Sequence, residues 1–310
     1  MNPDIKYTPV AVDVGKNALQ IQTENENYGI SNNAKGHASF TKKLKAIKDS
    51  LVVLEASGGY ERPLIYALHQ AKIKFCLVNP RRVRAFAISE GIKAKTDPID
   101  AMVLRRFALE KNLKPSKAPS QEQRELAALL DRRNQLNDHL TKEKNRLDKV
   151  ESSILPSLKR VIDFITQEIN EMERMIRQKV NQDPKMNAMS VAMQGIDGVG
   201  EITAWTILSY MPEITELSRN EAVSMAGVAP FNKDSASIQR PRHICGGRGK
   251  IRKTLFMAAQ SAAKYNQVIK PYVEALRERG KAYRCTMVAA MRKLLLHIRS
   301  ILKKLEKPLA

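Results

Sequence analysis

The chain has 310 residues and a formal charge of +21, from 53 Lys plus Arg against 32 Asp plus Glu. That length suits two or three domains with cores of their own, and the basic excess favours contact with a phosphate backbone. Three scattered cysteines without a CxxC pair argue against a disulfide framework or zinc ribbon, and 5% aromatic content argues against single-strand binding dominated by stacking. No charge-free apolar run approaches the roughly 18 residues of a membrane span. The opening Met1–Asp4 lacks a basic stretch leading into an apolar one, so no signal peptide is expected and the chain reads as cytoplasmic.

Residues 8–31 predict three short strands: apolar Thr8–Val14, alternating Ala18–Thr23, and Tyr28–Ser31 after a polar turn. Phe40, Leu44 and Ile47 then have helical spacing. Leu51–Glu55 predicts a buried strand broken by Gly58-Gly59, followed by a helix over Leu64–Gln70, a strand over Phe75–Val78 and a helix over Arg81–Ser89. A strand meander followed by alternating helices and strands predicts an α/β domain with a mixed sheet.

Pro115 and Pro119 mark a linker, and Ser120 is placed to cap a helix with Gln123 or Glu122 near the capping-box position. Leu126, Leu129, Leu136, Leu140 and Leu147 form one apolar stripe, interrupted by Arg133 and Lys144. Leu158, Val161, Ile165, Ile169, Met172, Ile176 and Val180 form another. These predict two long amphipathic helices, folded on each other around residues 152–157 or coiled with another subunit. Residues from about 190 onward read mostly as helices, with a basic loop at 232–250 and an amphipathic helix over Met287–Leu305.

Four carboxylates carry the chemistry. Asp13 ends the run Val10-Ala11-Val12, and Glu55 ends Leu51-Val52-Val53-Leu54, so each acid sits where a buried strand surfaces. Asp97 and Asp100 open a helix and share a face. Asp97 before Pro98 also suits a plain N-cap, Asp13 a turn, and Glu55 a solvated strand edge. Together the four fit a site for Mg²⁺ (or Mn²⁺), which takes oxygen ligands and acts in two-metal phosphodiester chemistry. Ser235 precedes a basic stretch containing Arg240, Arg242, Arg248 and Arg252, guanidinium groups suited to a scissile phosphate. Ser237 competes with it for a nucleophilic role. Gly195-Ile196-Asp197-Gly198-Val199-Gly200 resembles the hairpin of helix-hairpin-helix DNA binders, in which glycines such as Gly198 and Gly200 let backbone N–H groups approach phosphate.

Six motifs in order resemble the DEDD transposases of the IS-one-ten class, relatives of Piv-type DNA invertases. They are Val-Asp-Val-Gly-Lys, Leu-Glu-Ala-Ser-Gly-Gly-Tyr, Val-Asn-Pro-Arg-Arg-Val-Arg at 78–84, Lys-Thr-Asp-Pro-Ile-Asp-Ala, Gly-Ile-Asp-Gly-Val-Gly and Ala-Gly-Val-Ala-Pro. The resemblance implies an RNase H-like (RuvC-like) catalytic domain over 1–115 with the quartet Asp13, Glu55, Asp97 and Asp100. It implies a helical coiled-coil region over 116–185 and a mainly α C-terminal transposase domain over 186–310. Ser235 matches the family's serine, although Ala236 stands where glycine is common, which leaves Ser237 in play. The third motif adds Arg81, Arg82 and Arg84 as nucleic-acid contacts. The implied activity is site-specific recombination of donor and target double-stranded DNA through a serine–DNA intermediate. The implied partners are a structured bridge RNA and further copies of the chain, as a dimer or tetramer. A Holliday-junction-type nuclease using water on the same quartet is the rival reading.

Overall fold

The computed structural model describes residues 7–92, 96–232 and 242–306. The chain divides into two compact units, one running to Pro119 and one starting at Ser120.

In the first unit, β1 (Thr8–Val14), β2 (Ala18–Gln22) and β3 (Asn27–Ser31) form an antiparallel meander. Strands β4 (Ser50–Glu55) and β5 (Lys74–Val78) add in parallel beside β1, giving the order β3-β2-β1-β4-β5. Both faces of β1 and β4 are covered, which is why they read as unbroken apolar runs. On one face Val10, Val12, Val52 and Leu54 pack with Phe40 and Leu44 of α1 (Ala34–Leu44) and Leu64 and Leu68 of α2 (Arg62–Gln70). On the other, Ala11, Leu51 and Val53 pack with Val83 and Phe86 of α3 (Pro80–Ser89) and Leu104 and Phe107 of α4 (Asp97–Glu110).

The second unit opens with α5 (Gln121–Lys144), capped by Ser120 and Gln123 in the reciprocal bonding of a capping box. The chain reverses over 145–154, earlier than the sequence suggested, and returns as α6 (Leu155–Gln182). Leu136 and Leu140 meet Ile165 and Ile169 in a small core between these helices. Nearer the hairpin's base, Leu126, Leu130, Ile176 and Val180 join the larger core of the following helices. Leu130, not Leu129, is fully buried, and Leu147 falls in a short 3₁₀ turn beyond the helix. Val161 lies outward because the seam passes through Ile162. Arg133 interrupts the first stripe for a reason: it reaches Glu173 across the hairpin at 2.8 Å. The remaining helices are α7 (Pro184–Gln194), α8 (Glu201–Tyr210), α9 (Arg219–Met225), α10 (Gly249–Tyr265), α11 (Ile269–Glu278) and α12 (Tyr283–Glu306). A two-residue ladder pairs β6 (Pro230–Phe231) with β7 (His243–Ile244). Among the described residues, no helix is long and apolar enough to cross a membrane.

Candidate active site

Register decides how the two strand-borne acids sit. The parallel register of β1 and β4 runs from Thr8 with Ser50 to Val12 with Leu54, so Asp13 and Glu55 come next, side by side. Neighbouring strands lie about 4.8 Å apart. Side chains alternate along a strand, so Asp13 follows Ala11 and Glu55 follows Val53 onto the face covered by α3 and α4. Both acids are half-buried at the carboxyl edge of the sheet.

The helix-borne acids come from α4, which packs against β1, β2 and β4. Thr96 is the residue at the N-cap position, so Asp97 is the first helical residue and not the cap that its place before Pro98 suggested. Asp97 and Asp100 begin the stripe that continues through buried Ala101 and Leu104; Asp97 is exposed and Asp100 half-buried. Among the described residues, no group of three or more His, Cys, Asp or Glu lies close enough to hold a metal ion. The quartet therefore stands as a strand pair and a helix pair on one side of the sheet. As a donor set, four carboxylates supply the hard oxygen ligands that Mg²⁺ takes.

The loops after the two strands are tied down. After β4, the segment from Ser57 folds around the Glu61 carboxylate, which accepts from Ser57 N–H at 3.1 Å, Ser57 Oγ–H at 2.8 Å and Gly59 N–H at 2.8 Å. Burial pushes the Glu61 carboxyl up, but these bonds and its own backbone N–H outweigh burial and hold it below its ordinary 4.5. Gly58 and Gly59 supply the positive φ angles of 76° and 120° that this tight loop requires. After β5, Asn79 caps α3 through Arg81 N–H, which sets Arg81 and Arg82 at the same sheet edge. Arg81, Arg82 and Arg84 are all exposed, and the Arg82 guanidinium also lies 5.5 Å over the Phe107 ring.

In the second unit, Ser235, Ser237 and Arg240 lie outside the described residues. The flanks of that segment are described. Gly227 and Gly247 cross so closely that a Cβ on either would collide with the other's strand of chain. Arg252 donates to the Gly246 carbonyl at 2.6 Å, and Arg248 pairs with Glu213 and donates to the Tyr210 carbonyl at 2.6 Å. Two of the four arginines expected on phosphate thus brace the base of the loop, whereas Arg242 is exposed.

The glycine hairpin between α7 and α8 is equally specific. Gly198 has φ 94°, and a Cβ there would stand 2.5 Å from the Ala262 backbone nitrogen of α10. Its lack of a side chain thus serves packing against α10. Gly200 meets nothing within 4 Å and stands at the N-cap of α8. Buried Asn266 holds the turn by donating to the Asp197 carbonyl at 3.1 Å.

Two comparisons decide the family. Residues 10–156 match the DEDD transposase model of the IS110 type, and residues 191–274 match the model described as the transposase IS116/IS110/IS902 family. The chain belongs to the IS110 transposase family. It is similar to the pilin gene-inverting proteins of Moraxella lacunata, at 28% identity, and Moraxella bovis, at 27%, with 93% of each chain covered in both cases. An IS110-type transposase related to these inverting proteins is a DNA-binding enzyme of site-specific recombination.

Sequence reasoning about this transposase missed Glu61, and with it Asn32 and His37. The Asn32 side-chain nitrogen donates to the Gly15 carbonyl at 2.8 Å and the Tyr60 carbonyl at 3.2 Å, and His37 Nε2 lies 2.7 Å from Asn32 Oδ1. Glu61 carried a signal, an acid beside the glycine turn that follows Glu55. Asn32 carried none, because Gly15 and Tyr60 are distant from it in sequence, and His37 takes part only through Asn32.

Proposed function

We propose that this transposase moves an insertion sequence by Mg²⁺-dependent cleavage and exchange of donor and target double-stranded DNA, through a covalent serine–DNA intermediate, with a structured bridge RNA selecting the sites. The observation that carries this reading is the adjacency of Asp13 and Glu55 at the carboxyl edge of the sheet. The mixed five-stranded order supports an RNase H-like (RuvC-like) domain. In this reading Asp13 and Glu55 supply two of the oxygen ligands, and α4 brings Asp97 and Asp100 to complete the set when the charge is neutralised. Mg²⁺ or Mn²⁺, when bound, polarises the scissile phosphate and favours deprotonation of the attacking hydroxyl.

Ser235, with Ser237 as its neighbouring candidate, attacks phosphorus through Oγ. The new Oγ–P bond replaces a bond from phosphorus to one deoxyribose oxygen, which leaves with a proton. A hydroxyl of the second DNA strand then attacks the phosphoserine ester, releases the serine and restores a phosphodiester, so the bond energy is conserved. Arg240 and Arg242 hold the phosphate, and Arg248 and Arg252 hold the loop. Arg81, Arg82 and Arg84, the backbone N–H groups at the Gly198–Gly200 turn and the net charge of +21 support broad contact with DNA and RNA backbones. Val161, Phe164 and Met175 are exposed along the outer side of α6, as is Ile154 at its N-cap, which supports assembly of a dimer or tetramer through the helical hairpin.

The test is to sequence RNA that co-purifies with the protein, then to assay donor and target DNA with that RNA and Mg²⁺. Recombinant product, a protein–DNA adduct absent from Ser235→Ala, and loss of both in Asp13→Asn are expected. An adduct that persists in Ser235→Ala moves the nucleophile to another residue, Ser237 first. Hydrolysed ends without any adduct favour water as the attacker, and unchanged recombination in Asp13→Asn removes the quartet from the active site.

A further inference from the structure

The strands that carry Asp13 and Glu55 each run into a turn, and one side chain joins the two turns. Asn32 lies between β3 and α1, remote in sequence from both. Its amide NH₂ donates to the Gly15 carbonyl, two residues beyond Asp13, and to the Tyr60 carbonyl, in the loop that leaves Glu55. Both partners are carbonyls, so the orientation of the amide is dictated: nitrogen faces the turns and Oδ1 faces away. Oδ1 then requires a donor, and His37 Nε2 stands 2.7 Å from it. His37 is 5% exposed on α1. With Oδ1 as the acceptor, the imidazole carries its proton on Nε2.

The backbone around Asn32 is fixed as well. Its N–H donates to the Asn17 carbonyl at 2.9 Å, and Gly15 N–H donates to the Ala18 carbonyl at 2.9 Å, closing the turn after β1. Asn33 caps α1 through Gly36 N–H, and α1 approaches Ser31 so closely that a Cβ at Gly36 would collide with the Ser31 carbonyl. The far arm is rigid because Glu61 organises the loop that presents the Tyr60 carbonyl. Each donor and acceptor of the Asn32 amide is thus committed to a fixed group, and both turns are held to one point.

We propose that Asn32, oriented by His37, is a positioning residue that sets the spacing of Asp13 and Glu55 for a shared divalent cation. The proposal rests on the metal reading given above. Partners one step removed from metal ligands typically change affinity about 10–100-fold when removed, because they fix where the ligands point.

The experiment measures Mn²⁺ binding to the full-length protein by electron paramagnetic resonance, beside the Mg²⁺ dependence of DNA cleavage and thermal unfolding. Asn32→Ala and Asn32→Asp are expected to weaken Mn²⁺ binding about 10–100-fold. The Mg²⁺ needed for half-maximal cleavage should rise in parallel, with the rate recovering at high Mg²⁺. His37→Ala should shift both in the same direction but less, His37→Gln should restore much of the loss, and the Asn32→Ala, His37→Ala double variant should match Asn32→Ala alone. Wild-type Mn²⁺ affinity in folded Asn32→Ala overturns the proposal. Should that variant fail to fold, wild-type affinity in His37→Ala overturns it equally. Asp13→Asn separates the two levels. If it binds Mn²⁺ and cleaves like the wild type, the metal reading itself has failed, and the Asn32 proposal falls with it. If Asp13→Asn loses Mn²⁺ while the Asn32 and His37 variants keep it, only the positioning role is lost.

Discussion

Replacing Gly198 by Ala separates two roles for the hairpin glycine, packing and phosphate approach. The added Cβ meets the Ala262 backbone nitrogen at 2.5 Å and its Cα at 2.7 Å, and the residue must keep φ 94°. The left-handed backbone costs about 1–2 kcal/mol for an L side chain. Pushing α10 back by roughly an ångström adds about 1–3 kcal/mol of overpacking. The sum, about 2–5 kcal/mol, corresponds to a Tm lowered by about 4–20 °C for a unit of this size. Trp205 is the only tryptophan in the chain and is buried in the same core, so its fluorescence reports this unit's unfolding selectively. Gly200→Ser is the matched control. It has open space and φ −92° at an N-cap, where Ser is favoured, and should stay within about 0.5 kcal/mol. A Gly198→Ala protein with unchanged Tm and weakened DNA binding would refute the packing argument and return this glycine to the phosphate.

Glu61→Ala leaves the Ser57 and Gly59 amides without their acceptor and should cost about 2–4 kcal/mol, with loss of hydrogen-exchange protection at both amides. Glu61→Gln should lose less, since one neutral acceptor remains. Arg252→Ala should abolish strand exchange while leaving the salt dependence of DNA binding unchanged, because Arg252 is committed to carbonyls of the loop base. A salt slope reduced by about 1 would instead make Arg252 a phosphate contact. Burial holds His37 below its ordinary 6.5, so below that pH the unfolded chain binds more protons than the folded one. Stability of the first unit should therefore fall as pH drops from about 6.5 toward the folded value, and His37→Gln should flatten that part of the profile, read by circular dichroism.

Strands β1 and β4 were legible because they are buried on both faces. Each announces itself as an apolar run that reaches an acid, Asp13 one residue before the end of β1 and Glu55 at the end of β4. The Ser120 cap was equally legible, since a capping box is local chemistry. The long helices were legible in kind but not in detail. The seam took Leu130 and Ile162 over Leu129 and Val161 because facing side chains, absent from any one stripe, select among neighbouring apolar positions.

By itself the sequence determined the candidate acids, the basic character and the family, because motifs and charge are properties of residue types in order. Tertiary structure alone decided that Asp13 and Glu55 share a rung, and that Asn32 ties their two turns together. It also decided that Gly198 lies against α10 and that Arg248 and Arg252 bond to backbone carbonyls. Those outcomes depend on which distant backbone arrives within a few ångströms, and no local pattern encodes such an arrival.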